Sequence, residues 1–320
     1  MPVPKDWFQK QESALEEYKE CPDPFGPSYD ELFSKLIWAD TAKSWQDFLD
    51  WIGELQESWC FRGQRESAWP LQTSLDRAVR VSYKNVKVPT PDGHYFLHSG
   101  HYPRNRREEE SKLLFRFQQR AHQFIPNLPP LGDKPSWFAL MQHYGAPTRL
   151  LDWTSSPYVA LYFAVEEKPV SKNGAEGTAK EEKDDGYSAI WAMDLDWLET
   201  KKQEHLKSIA PKDRTAFLDG LLDQSETPLI TKIDPLQANE RMAAQQGFFL
   251  WKLYEETPYL DPILISMMKD TISARQVIRK LKVGEELRIE FLESKRQSKY
   301  RVGNYGCLAA QAAGVISAMR

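Results

Sequence analysis

Cysteine, long apolar runs and an excess of positive charge are all scarce or missing in this sequence. The three cysteines, Cys21, Cys60 and Cys307, are odd in number, far apart and without metal-like spacing, as expected in a reducing compartment. No apolar run reaches membrane-spanning length, and the first residues lack the apolar core of a signal peptide. We therefore expect a cytoplasmic protein with no membrane segment.

The charge balance argues against general nucleic-acid binding. The 42 Lys and Arg face 46 Asp and Glu, a net charge of −4, whereas nucleic-acid-binding domains usually carry excess basic residues. Aromatic residues are plentiful, with 11 Trp, 13 Tyr and 15 Phe, which favours well-filled cores and stacking surfaces. A chain of 320 residues has room for one large domain with extensions, or for two domains.

The first candidate motif is a short apolar strand that ends in an arginine. Ser44 and Asp47 predict a capped helix start, and the run Trp-Cys-Phe at 59–61 then predicts a buried strand. Arg62 ends this strand beside Gly63, a residue that permits close approach of another group. Its guanidinium can donate a fork of hydrogen bonds to a phosphate or carboxylate. The alternative is a structural ion pair at the edge of the core.

The second candidate motif begins at the end of a predicted helix. Apolar residues at helical spacing from Trp137 place Tyr144 on the core face, and Gly145 ends the helix. His143 lies at this helix end, where it either acts in a site or serves as a cap. A short strand at 148–153 follows.

Polar residues crowd this strand and the turn after it. Strand alternation puts Arg149 and Asp152 on opposite faces, so each needs its own partner if buried. Ser156 is a good N-cap and Pro157 a good first residue of the next helix. The hydroxyls at 154 and 155 therefore precede a helix N-terminus, where free N–H groups attract anions.

Two further segments, both outside these motifs, also give predictions. His94, His98 and His101 are close in sequence, which allows a metal site, although a solvent-exposed loop is the better interpretation. Near the end, Asp270 predicts the cap of a helix whose apolar face runs through Leu281.

The motifs Phe61-Arg62-Gly63 and 142–165 resemble the FRG domain family, which is named for its Phe-Arg-Gly. The resemblance covers about residues 41–283, with a flexible insertion near 168–186. It leaves 1–40 as an N-terminal extension and 284–320 as a C-terminal tail that could bind a protein partner. Members occur mainly in bacteria and phages, and membership alone implies no specific activity.

The order of elements is also similar to the ADP-ribosyltransferase fold, in which a split pair of small sheets bends NAD in a cleft. The expected fold is therefore α+β, with small mixed or antiparallel sheets flanked by helices. The similarity implies NAD as a substrate. The sequence identifies no certain cofactor and predicts no metal ligands. The residues expected to be catalytic are Arg62, His143 and Asp152. The residues expected to bind the nucleotide are Gly63, Gln64, Tyr144, Thr148, Arg149, Trp153, Thr154, Ser155 and Gln246.

One expected residue is missing from this analogy. A late Glu often serves the chemistry in that fold, but this sequence has Gln245 and Gln246 there, with Glu240 slightly more than a helix turn earlier. Asp152 is the alternative carboxylate. Three hypotheses follow: an NAD-consuming toxin or defence effector, a non-catalytic sensor that binds a nucleotide or anion, and an interaction protein whose polar residues form a buried network.

Overall fold

The computed structural model describes residues 37, 39–83, 87–89, 95–97, 106–166, 186–208, 229–233, 246–253 and 274–298. Outside these ranges lie most of the expected extension and insertion, the three loop histidines, Glu240, Gln245, Asp270 and residues 299–320.

Helices and strands alternate irregularly along the described part of the chain. The strands are β1 Ala39–Ala42, β2 Trp59–Gln64, β3 Lys87–Pro89, β4 Tyr95–Leu97, β5 Leu150–Thr154, β6 Ser188–Asp194, β7 Ile230–Ile233, β8 Gly247–Lys252 and β9 Ile278–Val283. The helices are α1 Trp45–Gly53, α2 Ser74–Tyr83, α3 Arg106–Ala121, α4 Lys134–His143, α5 Pro157–Val165, α6 Leu195–Ser208 and α7 Glu285–Ser298.

Seven strands form one mixed sheet in the order β1-β9-β6-β2-β5-β8-β7. The outer pair β1 and β9 is parallel, and the other neighbours are antiparallel. Strands β3 and β4 form a separate antiparallel ribbon, in a segment where the sequence indicated only an irregular loop. The α+β class is confirmed, with one larger mixed sheet in place of several small ones.

The helices pack on the sheet through two apolar cores, each of which involves a different set of strands. The first core joins α1, α5 and α7 to strands β2, β6 and β9. The second core joins α3 and α4 to strands β5 and β8. Trp51, Phe61 and Leu161 lie in the first core, and Trp137, Met141 and Trp251 lie in the second. The boundary between the two cores therefore falls between β2 and β5.

Local capping signals position the helices as the sequence predicts. The Ser44 side chain accepts a hydrogen bond from the Asp47 backbone, and the Asp47 carboxylate accepts one from the Ser44 backbone, which completes a capping box. Ser156 caps α5, with Pro157 as its first residue. Gly145 takes a φ of +78° just after α4. These cap predictions are confirmed.

Two predictions about secondary structure and burial are wrong. Tyr144 is 56% exposed because α4 ends at His143, so helical spacing no longer fixes the direction of the next side chain. The predicted helix through Leu281 is instead a 3-10 turn, Ala274–Gln276, followed by β9. Pairing of β9 with both β1 and β6 overrides the helical spacing of its apolar residues.

Helix α7 lies in the segment assigned to a tail. Its Leu287 and Phe291 pack into the first core, and the Glu290 carboxylate accepts a hydrogen bond from the Trp45 backbone. The domain limits remain a prediction, as does partner binding by 284–320.

Candidate functional site

The site is built where the seven-stranded sheet divides. Strand β2 pairs with β6 at six positions, yet its ladder with β5 consists of the single pair Phe61 and Thr154. Strand β5 in turn pairs with β8 at five positions. The sheet thus has a four-strand half and a three-strand half, which meet at one residue pair. Arg62 comes directly after that pair on β2.

A cavity of about 790 Å³ opens at this division. Its size lies within the roughly 300–1,000 Å³ that is usual for small-molecule sites. The lining residues are Phe61, Arg62, Gly63, Gln64, Arg65, Trp69, Pro70, Gln72, Arg77, Ala139, Gln142, His143, Asp152, Trp153, Thr154, Val159, Phe163, Glu166, Gly247, Phe248 and Phe249. The three residues expected to be catalytic are all among them.

Arg62 connects the two halves of the sheet. Its Nη1 donates a 2.7 Å hydrogen bond to the backbone oxygen of Asp152 and lies 3.7 Å from Asp152 Oδ2. The Arg62 side chain is 19% exposed, whereas the Asp152 side chain is 64% exposed. The arginine is therefore held at the wall, and the carboxylate is accessible from the cavity.

Gln142 holds the Asp152 carboxylate, a role that the sequence did not predict. Its amide Nε2 donates to both carboxylate oxygens, at 2.8 and 2.9 Å. Its Oε1 accepts a 2.5 Å hydrogen bond from the hydroxyl of Thr148. Because a carboxylate only accepts, the amide nitrogen must face Asp152, which fixes the orientation of the whole chain of bonds. The only sequence signal was the position of Gln142 beside His143, off the apolar face of α4.

Four of the residues expected to bind a nucleotide line the cavity. They are Gly63, Gln64, Trp153 and Thr154. Gln64 accepts a 2.6 Å hydrogen bond from the Trp191 indole and donates one to the Pro70 backbone oxygen, so its amide is committed to the wall.

Other expected binding residues lie outside the cavity lining. Arg149 is buried, and its guanidinium pairs with the buried carboxylate of Glu110 and lies 5.0 Å from the Trp251 ring centre. Thr148 is buried. Its hydroxyl donates to the Gln142 side chain, and its backbone N–H donates to the Ser74 hydroxyl oxygen. The Arg149 guanidinium is therefore paired inside the second core, as a buried charge requires.

The remaining expected residues lie near the cavity but do not line it. Tyr144 packs against the rings of Phe117 and His143. The Ser155 backbone N–H donates to the Gln246 backbone oxygen, and the Ser155 hydroxyl reaches the Gln246 amide oxygen at 3.4 Å. Gln246 has a φ of +48°, which is uncommon for a residue with a side chain and often marks functional sites.

The cavity lining also contains residues that the sequence analysis missed. Arg65, Trp69, Arg77 and Glu166 all line the cavity. Arg65 and Glu166 approach within 3.7 Å, and Arg77 donates to the Gln72 backbone oxygen at 2.8 Å. The Arg-Gly-Gln-Arg run could have suggested Arg65, but nothing in the sequence links Arg77 or Glu166 to the same space.

Cys60, the one cysteine in the described ranges, does not line this cavity. Cys60, two residues before Arg62 on β2, is fully buried, and burial raises the pKa of its thiol well above the ordinary value. Within the described ranges, no cluster of three or more His, Cys, Asp or Glu side chains could hold a metal ion. Nor does that part of the chain contain a helix long and apolar enough to cross a membrane.

The fold and site together define an α+β protein with a cavity, lined by charged and aromatic side chains, at the division of a mixed sheet. Residues 57–173 match the family model of the FRG domain, and the chain therefore carries an FRG domain. The matched span includes β2, α4, β5 and α5, and with them Arg62, Gln142 and Asp152. No curated protein and no solved structure matches the chain.

Proposed function

We propose that the cavity binds NAD and that the protein cleaves the bond between nicotinamide and ribose, as an ADP-ribosyltransferase or NAD glycohydrolase. The observation that carries the proposal is the pairing of Arg62 with an accessible Asp152 carboxylate in one cavity. A cation suits the pyrophosphate, and a carboxylate suits the developing positive charge on the ribose.

The chemistry requires little more than these two groups. The bond between ribose C1′ and the nicotinamide nitrogen breaks, and its electron pair leaves with neutral nicotinamide. Asp152 stabilises the oxocarbenium-like ribose. Water or an acceptor nucleophile then attacks C1′ and loses a proton, which the carboxylate accepts. Such NAD consumption in the cytoplasm would suit a toxin or defence effector.

Incubation with NAD, with nicotinamide release followed by chromatography, tests the proposal. We expect Arg62→Ala and Asp152→Asn each to lower the rate at least about 100-fold, the scale of lost electrostatic or acid–base assistance. Arg116→Ala and Asp196→Asn, changes at exposed residues outside the cavity, serve as matched controls and should retain the rate. Absence of release from the unmodified protein would contradict the proposal.

A second candidate function is a sensor that binds a nucleotide or anion without turnover. Two observations favour it: both oxygens of Asp152 are already engaged by Gln142, and residue 246 has an amide where a late carboxylate was expected. A sensor would gain stability on binding, about 2.7 kcal/mol at a ligand concentration of 100 Kd. Thermal stabilisation by NAD without nicotinamide release would support this function.

A further inference from the structure

Beyond Arg62 and Asp152, the cavity lining carries two further arginines and an exposed tryptophan. We call Arg65, Trp69 and Arg77 the arginine wall. Among the residues that the structure describes, the cavity lining has three arginines, at 62, 65 and 77, and two carboxylates, at 152 and 166. The whole chain has a net charge of −4, so this positive excess is local. Such a local excess favours an anionic ligand.

The arginines of the wall are available to a ligand. Both Arg65 and Glu166 are about 40% exposed, and their 3.7 Å separation is longer than a hydrogen bond. A phosphate could therefore replace Glu166 as the partner with shorter, charge-assisted bonds. Arg77 is exposed, and its bond to the Gln72 backbone oxygen uses one nitrogen of the guanidinium and orients the fork.

Trp69 supplies a flat apolar surface beside these charges. It is 45% exposed, unusually high for such a large apolar side chain. Two hydrogen bonds hold the backbone around Trp69. The Trp69 backbone N–H donates to the Glu66 backbone oxygen, and the Gln64 side chain donates to the Pro70 backbone oxygen. A rigid, exposed indole can stack on a heteroaromatic ring at little entropic cost.

We propose that the arginine wall binds the diphosphate and base of a nucleoside diphosphate, with Arg65 and Arg77 joining Arg62 on the phosphates and Trp69 on the base. This inference rests on the proposed function, since it assigns the ADP half of the ligand to one wall and leaves the ribose to be cleaved beside Asp152. It predicts that affinity depends on the second phosphate.

Calorimetric titration of the full chain with ADP-ribose, ADP, AMP, adenosine and pyrophosphate tests the subsite without any turnover. We expect ADP-ribose and ADP to bind, with AMP weaker and adenosine weakest.

Arg65→Ala and Arg77→Ala should each weaken ADP binding about tenfold or more, the usual effect of losing a charged hydrogen bond. Trp69→Ala should weaken ADP but not pyrophosphate, and Arg116→Ala is the matched control. Arg65→Lys and Arg77→Lys provide the test if an alanine variant fails to fold.

The outcomes separate this inference from the proposed reaction. Binding of ADP-ribose that needs Arg65 and Arg77, without NAD cleavage, supports the subsite and contradicts the catalytic proposal. NAD cleavage that is unchanged in Arg65→Ala and Arg77→Ala overturns the subsite alone. Equal affinity for ADP and adenosine, or no binding of either, also overturns it.

Discussion

At the residue scale, the chemistry of the cavity depends on how Asp152 is held. The carboxylate is mostly exposed, yet both of its oxygens accept hydrogen bonds from the Gln142 amide nitrogen. The Gln142 amide oxygen in turn accepts one from the Thr148 hydroxyl. Thr148 is itself fully buried and anchored by Ser74. A buried hydroxyl thus sets the position of an accessible carboxylate through one amide, an arrangement typical of preorganised sites.

Gln142→Glu tests this positioning because it places a carboxylate where the amide donor was. We expect kcat for nicotinamide release to fall about 10- to 100-fold, as misplaced groups usually cause, with a smaller change in KM. Gln123→Glu, at an exposed position after α3, is the matched control. A fall in kcat that is fully explained by loss of folded protein in circular dichroism would contradict a positioning role.

Sequence reasoning at this scale grouped Arg62, Asp152 and Arg149 in one candidate site, and the structure places the first two in the cavity lining and Arg149 outside it. Short-range patterns show that Arg149 and Asp152 need separate partners, and the structure places them in separate environments. The partner of Arg149 is Glu110, 39 residues earlier in the chain. No local pattern distinguishes a distant carboxylate from a ligand as the partner of a buried arginine.

At the element scale, β2 packs closely on α5 through Gly63. A Cβ at Gly63 would lie 2.0 Å from the backbone oxygen of Ala160, so no side chain fits there without moving the helix. Glycine is therefore required beside Arg62 because no side chain fits between β2 and α5. This close contact holds α5 against the cavity wall.

Gly63→Ala should destabilise the protein by at least about 1–3 kcal/mol, the usual cost of overpacking a core. Urea unfolding followed by circular dichroism measures the change. Gly53→Ala is the matched control, since nothing lies within 4 Å of a Cβ at that position in α1. Equal stability of the two variants would show that α5 does not pack on β2 in this way.

The ion pair between Glu110 on α3 and Arg149, the residue before β5, gives a second prediction at this scale. Arg149→Ala or Glu110→Ala leaves a buried charge without its partner, which costs about 3–5 kcal/mol. The double variant should lose less than the sum of the two, because the pair acts as a unit. Loss of folding in Arg149→Ala would therefore not favour an interaction protein over an enzyme.

Lys112→Ala, which removes an exposed pair with Glu108 on α3, is the control and should change stability little. Additive losses in the Arg149 and Glu110 variants would contradict a coupled pair.

Elements whose ends depend on neighbouring residues were predictable, and those that depend on distant pairing were not. The caps at Ser44 and Ser156 act within a few residues of the chain. Strand β9 is held instead by β1 and β6, which lie far away in sequence. Its apolar residues fit a helix equally well until those partners are known.

At the scale of the whole molecule, the sheet consists of two halves with separate cores that meet at Phe61 and Thr154. The cavity lies at this boundary, and each half contributes one of the proposed catalytic residues. The motifs that identified the FRG domain contain Arg62 and Asp152, so the sequence located both sides of the site. The arginine wall was not predictable, because its members come together only in the folded protein.

The most direct test of NAD cleavage beside Asp152 compares nicotinamide release and ADP-ribose binding in one variant, Asp152→Asn. We expect the unmodified protein to release nicotinamide from NAD. We expect Asp152→Asn to bind ADP-ribose with unchanged affinity but to release nicotinamide at least about 100-fold more slowly. Release by Asp152→Asn at the unmodified rate would contradict a catalytic role for this carboxylate.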